Sequence, residues 1–147
     1  MENEVSAPCV LCDILGEDKN CQLLYRDEHI FVVMNVEPVK DGHMMILPIR
    51  HAKNLSDLNA GEASAFLSAC DKSMRIVERL FSDEGPICIV NGWKHRSQEH
   101  LHAHVLPSKS SLRKLYMVTE GTPLRVRLDP EAMKEKGKRI REQFARV

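Results

Sequence analysis

Three of the seven histidines lie at alternate positions of one short segment, at His100, His102 and His104. Alternate side chains of a β-strand point to the same face, so this spacing predicts a row of three imidazoles whose intervening apolar residues pack in the core. Such a row can bind a transition metal, transfer protons or supply a nucleophilic nitrogen to phosphorus. The alternative is a polar strand face exposed to solvent, with no chemical role.

The other apolar segments predict an α+β domain in which strands and helices are segregated. Short apolar runs bounded by turn residues predict strands over 23–25, 30–34, 43–48, 87–90 and 101–106. Apolar residues spaced by three or four predict a long amphipathic helix over 56–81. Asp129 and Pro130 are typical of a helix start, and they predict a C-terminal helix that ends near Phe144. We therefore expect an antiparallel sheet of about five strands with a long central helix and a C-terminal helix.

Composition limits the classes of partner. The 147 residues contain 21 basic and 21 acidic side chains, so the overall charge gives no attraction to nucleic acid or to an anionic membrane, and anion binding must be local. No apolar run approaches the roughly 20 residues of a membrane helix, and the first residues lack the pattern of a secretory signal. We expect a cytoplasmic protein without a membrane partner, in which the five cysteines are thiols or metal ligands rather than disulfides.

The histidine run resembles the signature of the histidine triad (HIT) family, in which three histidines alternate with apolar residues. Two other segments are similar to the family pattern: a Cys-x-x-Cys opening at 9–14, and an Asn-to-Pro segment at 35–48 that contains Gly42 and His43. The resemblance covers about residues 9–108 and is strongest to the fragile-histidine-triad-like and bacterial HIT nucleotide hydrolases. It implies the HIT fold in a single domain over residues 9–147, with an extension from about residue 109. Residues 1–8 have no apolar periodicity, which predicts a flexible segment.

The resemblance implies an enzyme that cleaves a phosphoanhydride or a phosphoramidate at the α-phosphorus of a nucleotide. By position, His102 would attack the phosphorus and form a nucleotidyl-histidine intermediate, which splits the reaction into two easier steps. His104 would orient or polarise the site, His100 would hold the other two histidines in place, and His43 would support His102. A buried histidine that satisfies a backbone carbonyl is the alternative for His43.

The same resemblance implies a set of nucleotide contacts. The implied contacts are Asn35 to the ribose hydroxyls, Leu11, Ile14 and Val33 to the base, and Asn91 and Ser97 to the phosphates. Asparagine rather than aspartate at position 35 resembles the dinucleoside polyphosphate hydrolases of the fragile-histidine-triad branch. The alternatives are ordinary core packing for the three apolar residues, a turn residue for Asn91 and a loop residue for Ser97.

The segment before the triad departs from the family pattern. Arg96 stands where the family has a glutamine, and Gln98 lies further along the chain. A guanidinium is a permanently charged donor, so Arg96 is a candidate to bind an additional phosphate of the leaving group. The segment from Ser97 to His100 is also similar to the aprataxin and scavenger-decapping branches, which leaves deadenylylation and cap hydrolysis open.

Cys9 and Cys12 have the Cys-x-x-Cys spacing that lets two thiolates share one metal ion, and zinc takes four sulfur or nitrogen ligands in a tetrahedron. Zinc-bearing bacterial members of the family supply the other two ligands from positions that match His51 and His100. We expect a structural zinc ion that fastens the N-terminal segment to the catalytic segment and leaves His102 free, and no organic cofactor. The alternative is a pair of reduced cysteines packed against the sheet.

These patterns give three hypotheses for function. The leading one is a homodimeric nucleotide hydrolase or transferase, with dinucleoside polyphosphates as one candidate substrate class. The resemblance implies a dimer interface formed by the helix over 56–81 and a paired strand. The second hypothesis is a nucleotide-binding or regulatory module with little turnover. The third is a metal-binding protein in which His102 holds metal and no phosphorus chemistry occurs.

Overall fold

The computed structural model describes residues 9–14, 22–123 and 127–146. The segment over residues 1–8, for which the sequence predicts flexibility, lies outside this range. The chain divides into two compact units, Met1–Lys109 and Ser110–Val147. In the described ranges, no helix is both long enough and apolar enough to cross a membrane.

The first unit contains a five-stranded sheet with one long helix packed against it. The strands are β1 (Leu23–Arg26), β2 (Ile30–Met34), β3 (Met44–Pro48), β4 (Gly85–Val90) and β5 (Ala103–Ser108). They lie in the spatial order β1-β2-β3-β5-β4, and each neighbouring pair is antiparallel. The helices of this unit are α1 (Val10–Asp13) and α2 (Ala60–Leu80), and those of the second unit are α3 (Leu112–Glu120) and α4 (Pro130–Phe144).

Helix α2 is stabilised by hydrogen bonds at its first turn and by the packing of its apolar face against the sheet. Asn59 and Glu62 form a capping box, in which each side chain accepts a hydrogen bond from the backbone N–H of the other. Arg50 donates to both carboxylate oxygens of Glu62, so this buried charge is paired. The core between α2 and the sheet includes Ile30, Ile46, Phe66, Val77, Leu101, Ala103 and Val105. The apolar residues between the histidines therefore pack in the core, as predicted.

The histidine segment is only partly a strand. Strand β5 begins at Ala103 rather than at the predicted residue 101, because the Leu101 N–H bonds the Ala52 carbonyl at 2.7 Å instead of pairing with β3. Pro48, at the end of β3, has no N–H with which to continue the ladder. His100 and His102 therefore precede the strand, and both rings are buried rather than set in an open row.

The predicted architecture and the two long helices are otherwise confirmed. Asp129 begins α4 by accepting hydrogen bonds from the backbone N–H groups of Glu131 and Ala132. The helix predicted over 56–81 begins later, at Ala60, after the 3-10 turn Leu55–Asp57. Helices α1 and α3 were not predicted; α1 has only four residues, which is too few to establish a helical period.

Candidate active site and metal-binding cluster

His100 connects two parts of the site. Its ring is 0% exposed, and its Nε2 lies 2.8 Å from the carbonyl oxygen of Pro48. A carbonyl can only accept a hydrogen bond, so Nε2 carries the proton and the lone pair of Nδ1 faces the sulfur atoms of Cys9 and Cys12. Burial lowers the pKa of His100, which favours the neutral ring that a metal requires.

Cys9, Cys12, His51 and His100 form a cluster in which all four ligand atoms lie within 4.8 Å of one another. Cys12 Sγ is 3.3 Å from Nδ1 of both histidines, and Cys9 Sγ is 3.6 Å from Nδ1 of His100. Bonds of about 2.0–2.3 Å from a tetrahedral metal would place nitrogen and sulfur ligands about 3.6 Å apart. Burial and the neighbouring Cys9 raise the pKa of Cys12 to about 11, so a pair of thiolates here needs a cation. The cluster has the donors and the spacing to hold a metal ion.

One ring nitrogen of His102 is fixed by the backbone. Its Nδ1 lies 2.8 Å from the carbonyl oxygen of His100, so Nδ1 carries the proton and donates to that oxygen. The lone pair of a neutral ring is then on Nε2. The ring lies edge-on to His104, with 4.8 Å between the ring centroids. His102 therefore offers a nucleophilic or basic nitrogen next to a second imidazole.

His43 and His104 form a hydrogen-bonded pair whose proton positions also follow from the backbone. The Val39 N–H donates to Nδ1 of His43 at 3.1 Å, so a neutral His43 carries its proton on Nε2. This Nε2 lies 2.9 Å from Nδ1 of His104 and donates to it. A neutral His104 must then carry its proton on Nε2. The pair thus presents an N–H donor beside His102.

Burial keeps this pair neutral. It lowers the pKa of His43, and together with the nearby His102 and His43 rings it lowers the pKa of His104 to about 4. The neutral pair therefore places the N–H of His104 next to the ring of His102, whose lone pair in the neutral form is on Nε2. A lone pair and a directed donor are the two elements that attack on an anionic phosphorus centre requires.

A cavity of about 410 Å³ adjoins these histidines, which is within the size range of small-molecule sites. The predicted site residues that line it are Leu11, Ile14, Asn35, His43, Asn91, Arg96, Ser97, His102 and His104. They come from α1 and the residue that follows it, from the connection between β2 and β3, from the segment between β4 and β5, and from β5 itself. The fold thus brings residues that are far apart in the sequence to one cavity.

Val33 is the predicted nucleotide contact that the fold places elsewhere. It is completely buried in a second core cluster with Leu11, Phe31 and Leu47, and it does not line the cavity. The cause is α1, which was not predicted and which supplies Leu11 to this cluster. Leu11 lines the cavity, and Val33 supports it within the core.

Arg96 lines the cavity, but its guanidinium is engaged within the protein. Its Nη1 donates to the carbonyl oxygen of Lys53, and to that of Glu99 at 3.4 Å. These bonds join the segment after β3 to the segment before the triad. The side chain therefore braces one wall of the cavity.

Several other residues of the cavity were not predicted from the sequence. They are Val10, Met34, Val36, Glu37, Val39, Met45, His95 and Gln98. His95, in the 3-10 turn Trp93–His95, is the unassigned residue with the greatest chemical capacity, because its imidazole can donate or accept. A histidine in the short segment between Asn91 and the triad was the signal that could have identified it.

Comparison with known proteins identifies the family. The family model described as the HIT domain matches residues 17–111. The chain belongs to the HIT family. An uncharacterized HIT-like protein of Mycobacterium tuberculosis is 30% identical over 141 residues, which cover 94% of this HIT chain and 94% of that protein. The family resemblance predicted from the sequence is confirmed.

Two further HIT proteins are informative. The bis(5'-adenosyl)-triphosphatase of Dictyostelium discoideum is 26% identical over 93 residues, 62% of this HIT chain and 62% of that protein. The family therefore includes nucleotide hydrolases. The crystal structure of a zinc-bound histidine triad family protein from Mycobacterium smegmatis matches 83% of both chains with a TM-score of 0.62 and 24% identity. This likeness supports the predicted HIT fold.

Proposed function

We propose that this chain is a nucleotidyl hydrolase or transferase in which His102 attacks the α-phosphorus of a nucleotide. The observation that carries the proposal is the hydrogen bond from Nδ1 of His102 to the carbonyl of His100, which leaves the lone pair on Nε2. The cavity that His102 lines has the size of a small-molecule site, and the neighbouring His104 supplies a donor.

The first step forms a bond between Nε2 of His102 and phosphorus and breaks the bond from phosphorus to the leaving group, which departs with the electron pair. The imidazole becomes a cation, so its Nδ1–H bond to the His100 carbonyl strengthens as charge develops. The Nε2–H of His104 donates to a phosphoryl oxygen and offsets its growing negative charge. His43 holds His104 in the tautomer that makes this possible.

The second step releases the nucleotide. Water or another acceptor attacks phosphorus, the phosphorus–nitrogen bond breaks, and the electron pair returns to Nε2 of His102. With water the product is a nucleoside monophosphate and a proton. With inorganic phosphate the same step would give a nucleoside diphosphate and make the protein a phosphorylase.

For the substrate we propose a dinucleoside polyphosphate, held by the residues of the cavity. Leu11 and Ile14 would contact the base, Asn35 the ribose, and Asn91 and Ser97 the phosphates. The name of the Dictyostelium relative, a bis(5'-adenosyl)-triphosphatase, supports this class. Arg96 would set the position of Ser97 by bracing the cavity wall, and its charge would favour a polyphosphate leaving group.

The test is product analysis with purified wild type and His102→Asn. Both are incubated with diadenosine polyphosphates, a nucleoside phosphoramidate and adenylylated DNA, with and without inorganic phosphate. We expect wild type to cleave diadenosine polyphosphates and His102→Asn to bind them without turnover. His29→Asn is the matched control, since His29 lies outside the cavity, and it should retain activity.

The other outcomes separate the alternatives. Wild-type rates in His102→Asn would contradict the assignment of the nucleophile. Cleavage of adenylylated DNA alone would indicate a deadenylylating enzyme. Nucleotide binding without turnover on any substrate would indicate a binding or regulatory module.

For the Cys/His cluster we propose zinc with a structural role. Two thiolates and two imidazoles are the ligand set that zinc prefers, and the ligand atoms of Cys12 and His100 already have nearly tetrahedral spacing. All four ligands are protein side chains, which is typical of a structural site without an open position. When bound, the ion would hold α1 against the segment that carries His100 and His102, and no step of the reaction passes through it.

For the assembly we propose a homodimer formed through α2 and the edge strand β4. β4 pairs only with β5 among the described strands, so its other edge is available for pairing. Leu67 on α2 is 68% exposed and Val90 on β4 is 37% exposed, and both are apolar. A second copy that covers these side chains would remove them from water.

A further inference from the structure

A second cavity, of about 450 Å³, lies between β1 and α2 in the first unit. Helix α2 packs on strands β2 to β5, and β1 extends the sheet beyond it at the edge opposite β4. The side chains that line this cavity are mostly apolar, and they include Leu24, Val32, Met44, Ile76 and Phe81. None of the nucleotide contacts and metal ligands proposed above lines it. Its volume is within the range of small-molecule sites.

The second cavity lies on the flank of α2 that the proposed dimer interface does not use. Ile76 lines the cavity and comes nine positions after Leu67, which is about two and a half turns of a helix. Ile76 and Leu67 therefore lie on opposite flanks of α2. Ile76 is 45% exposed, and Leu80, which also lines the cavity, is 71% exposed. A dimer held through Leu67 and β4 would leave this apolar wall open to solvent.

Two consecutive residues of α2 add polar groups to this apolar surface. Ser73 is 3% exposed and lines the cavity, and its hydroxyl has no hydrogen-bond partner among the described residues. Buried hydroxyls are normally hydrogen-bonded, so this one is available to a ligand. The ammonium of Lys72 lies 5.2 Å from the centroid of the Tyr25 ring on β1, and the ion pairs of the described ranges do not include Lys72. This end of the cavity offers a hydroxyl and a cation.

The other end of the second cavity is formed by the turn that carries His43. Gly42 and His43 line it, and Phe81, directly after α2, packs against Gly42. Residues 72–80 of α2 rise about 12 Å along the helix axis, which gives the separation of the two ends. Asp41 lines the cavity beside Gly42 and is exposed. A cation at one end and a carboxylate at the other orient a charged ligand.

We propose that the second cavity binds a medium-chain fatty acid, with its carboxylate at Lys72 and Ser73 and its alkyl chain along the apolar wall toward Phe81. The ammonium of Lys72 pairs with the carboxylate, and the Ser73 hydroxyl donates a hydrogen bond to it. The alkyl chain covers the apolar side chains of the wall and removes them from water. Asp41 repels a carboxylate from the other end, which fixes the direction of binding.

The bound acid would contact the turn that positions a histidine of the candidate active site. His43 lines both cavities, and it holds the tautomer of His104. Occupancy of the second cavity would therefore act on the pair that donates to the phosphoryl group. This consequence rests on the proposed function, whereas the binding of the acid does not.

Isothermal titration calorimetry of the full chain tests the site with decanoate, decanol and decylamine, each at concentrations below micelle formation. We expect wild type to bind one decanoate per chain and to bind the alcohol and the amine more weakly. Lys72→Met should weaken decanoate binding about two- to fivefold, as the loss of an exposed ion pair does, and it should leave decanol binding unchanged. Lys136→Met, on α4, is the matched control and should bind decanoate like wild type.

Ile76→Glu tests the apolar wall. The new carboxylate would lie against the alkyl chain and lose water on binding, so we expect decanoate to bind at least about tenfold more weakly. Leu55→Glu is the matched control, because Leu55 is 54% exposed and does not line the cavity. Both substitutions are at exposed positions, so both variants should fold.

Three calorimetric results would overturn the proposal: no saturable binding of decanoate by wild type, equal binding by wild type and Ile76→Glu, or tighter binding of decylamine than of decanoate. Dissociation of a wild-type dimer by decanoate would also overturn it, because a second copy would then be the occupant of the cavity. None of these measurements uses nucleotide cleavage, so failure of this proposal and failure of the proposed function are distinguishable.

Discussion

The partly buried His104 ring makes stability depend on pH in a defined window. Its pKa falls from an ordinary 6.5 to about 4, mainly through burial. Between these values the unfolded chain binds a proton that the folded chain does not, so stability is complete above pH 6.5 and falls as the pH drops to about 4. We predict that His104→Asn reduces the slope of the free energy of unfolding against pH, by at most about 1.4 kcal/mol per pH unit.

Urea unfolding of metal-free protein at a series of pH values between 7 and 4 measures the slope. Asparagine keeps an acceptor oxygen for the Nε2–H of His43 but does not titrate, so the comparison isolates one ring. Gly85→Ala is the control, because it changes no titratable group, and its slope should equal that of wild type. Parallel curves for wild type and His104→Asn would contradict the assigned shift.

The sequence predicted which histidines lie together at the candidate site, but it could not predict their tautomers. Spacing alone indicated His100, His102 and His104, because strand-like alternation is local. The proton position of His100 depends on the carbonyl of Pro48, which is 52 residues away, and that of His104 depends on His43, which is 61 residues away. Such partners are set by the register of the sheet, which the sequence pattern does not give.

At the scale of elements, the turn between β2 and β3 positions His43. Gly42 has a φ of +85°, and a Cβ atom there would lie 2.5 Å from Cε2 of Phe81. We predict that Gly42→Ala destabilises the fold by about 1–2 kcal/mol for the left-handed backbone and by a further amount of about 1–3 kcal/mol for overpacking. Because Gly42 precedes His43, kcat should also fall.

Thermal unfolding and steady-state kinetics test this prediction, with Gly85→Ala as the control variant. Gly85 lies on β4, its φ is outside the left-handed region, and a Cβ atom there meets nothing within 4 Å. The control should keep the kcat of wild type and a Tm close to it. Equal Tm values for the two variants would contradict the role given to the turn.

If the proposed zinc ion binds, the cluster of Cys9, Cys12, His51 and His100 attaches α1 to the segment that carries the triad. We predict about one zinc ion per chain in wild type, and loss of that zinc with a lower Tm in Cys12→Ser, because the cluster then has only three ligands. His102→Asn is the control and should retain zinc, since His102 is not in the cluster. Elemental analysis and unfolding with and without a chelator measure both effects. Loss of zinc in His102→Asn would exclude this assignment. A wild type that contains no metal, and whose Tm does not change when the chelator is added, would also exclude it.

The elements that are long enough to show an apolar pattern were the predictable part of the fold. Helix α2 and the five strands are marked by apolar residues in their own sequences, so their presence was predicted and only their ends moved. Helix α1 has too few residues for a pattern, and it decides that Val33 lies in the core rather than in the cavity. The start of β5 depends on Ala52, a residue of a remote loop.

At the scale of the whole molecule, the exposed apolar surface of α2 and β4 predicts the assembly. We predict that wild type is a dimer in light scattering coupled to gel filtration, and that Leu67→Glu is a monomer, because a carboxylate would lose its water in the interface. Val118→Glu is the control: Val118 is 79% exposed on α3, in the second unit, and the variant should remain a dimer. A monomeric wild type would contradict the interface, and so would a Val118→Glu variant that dissociates.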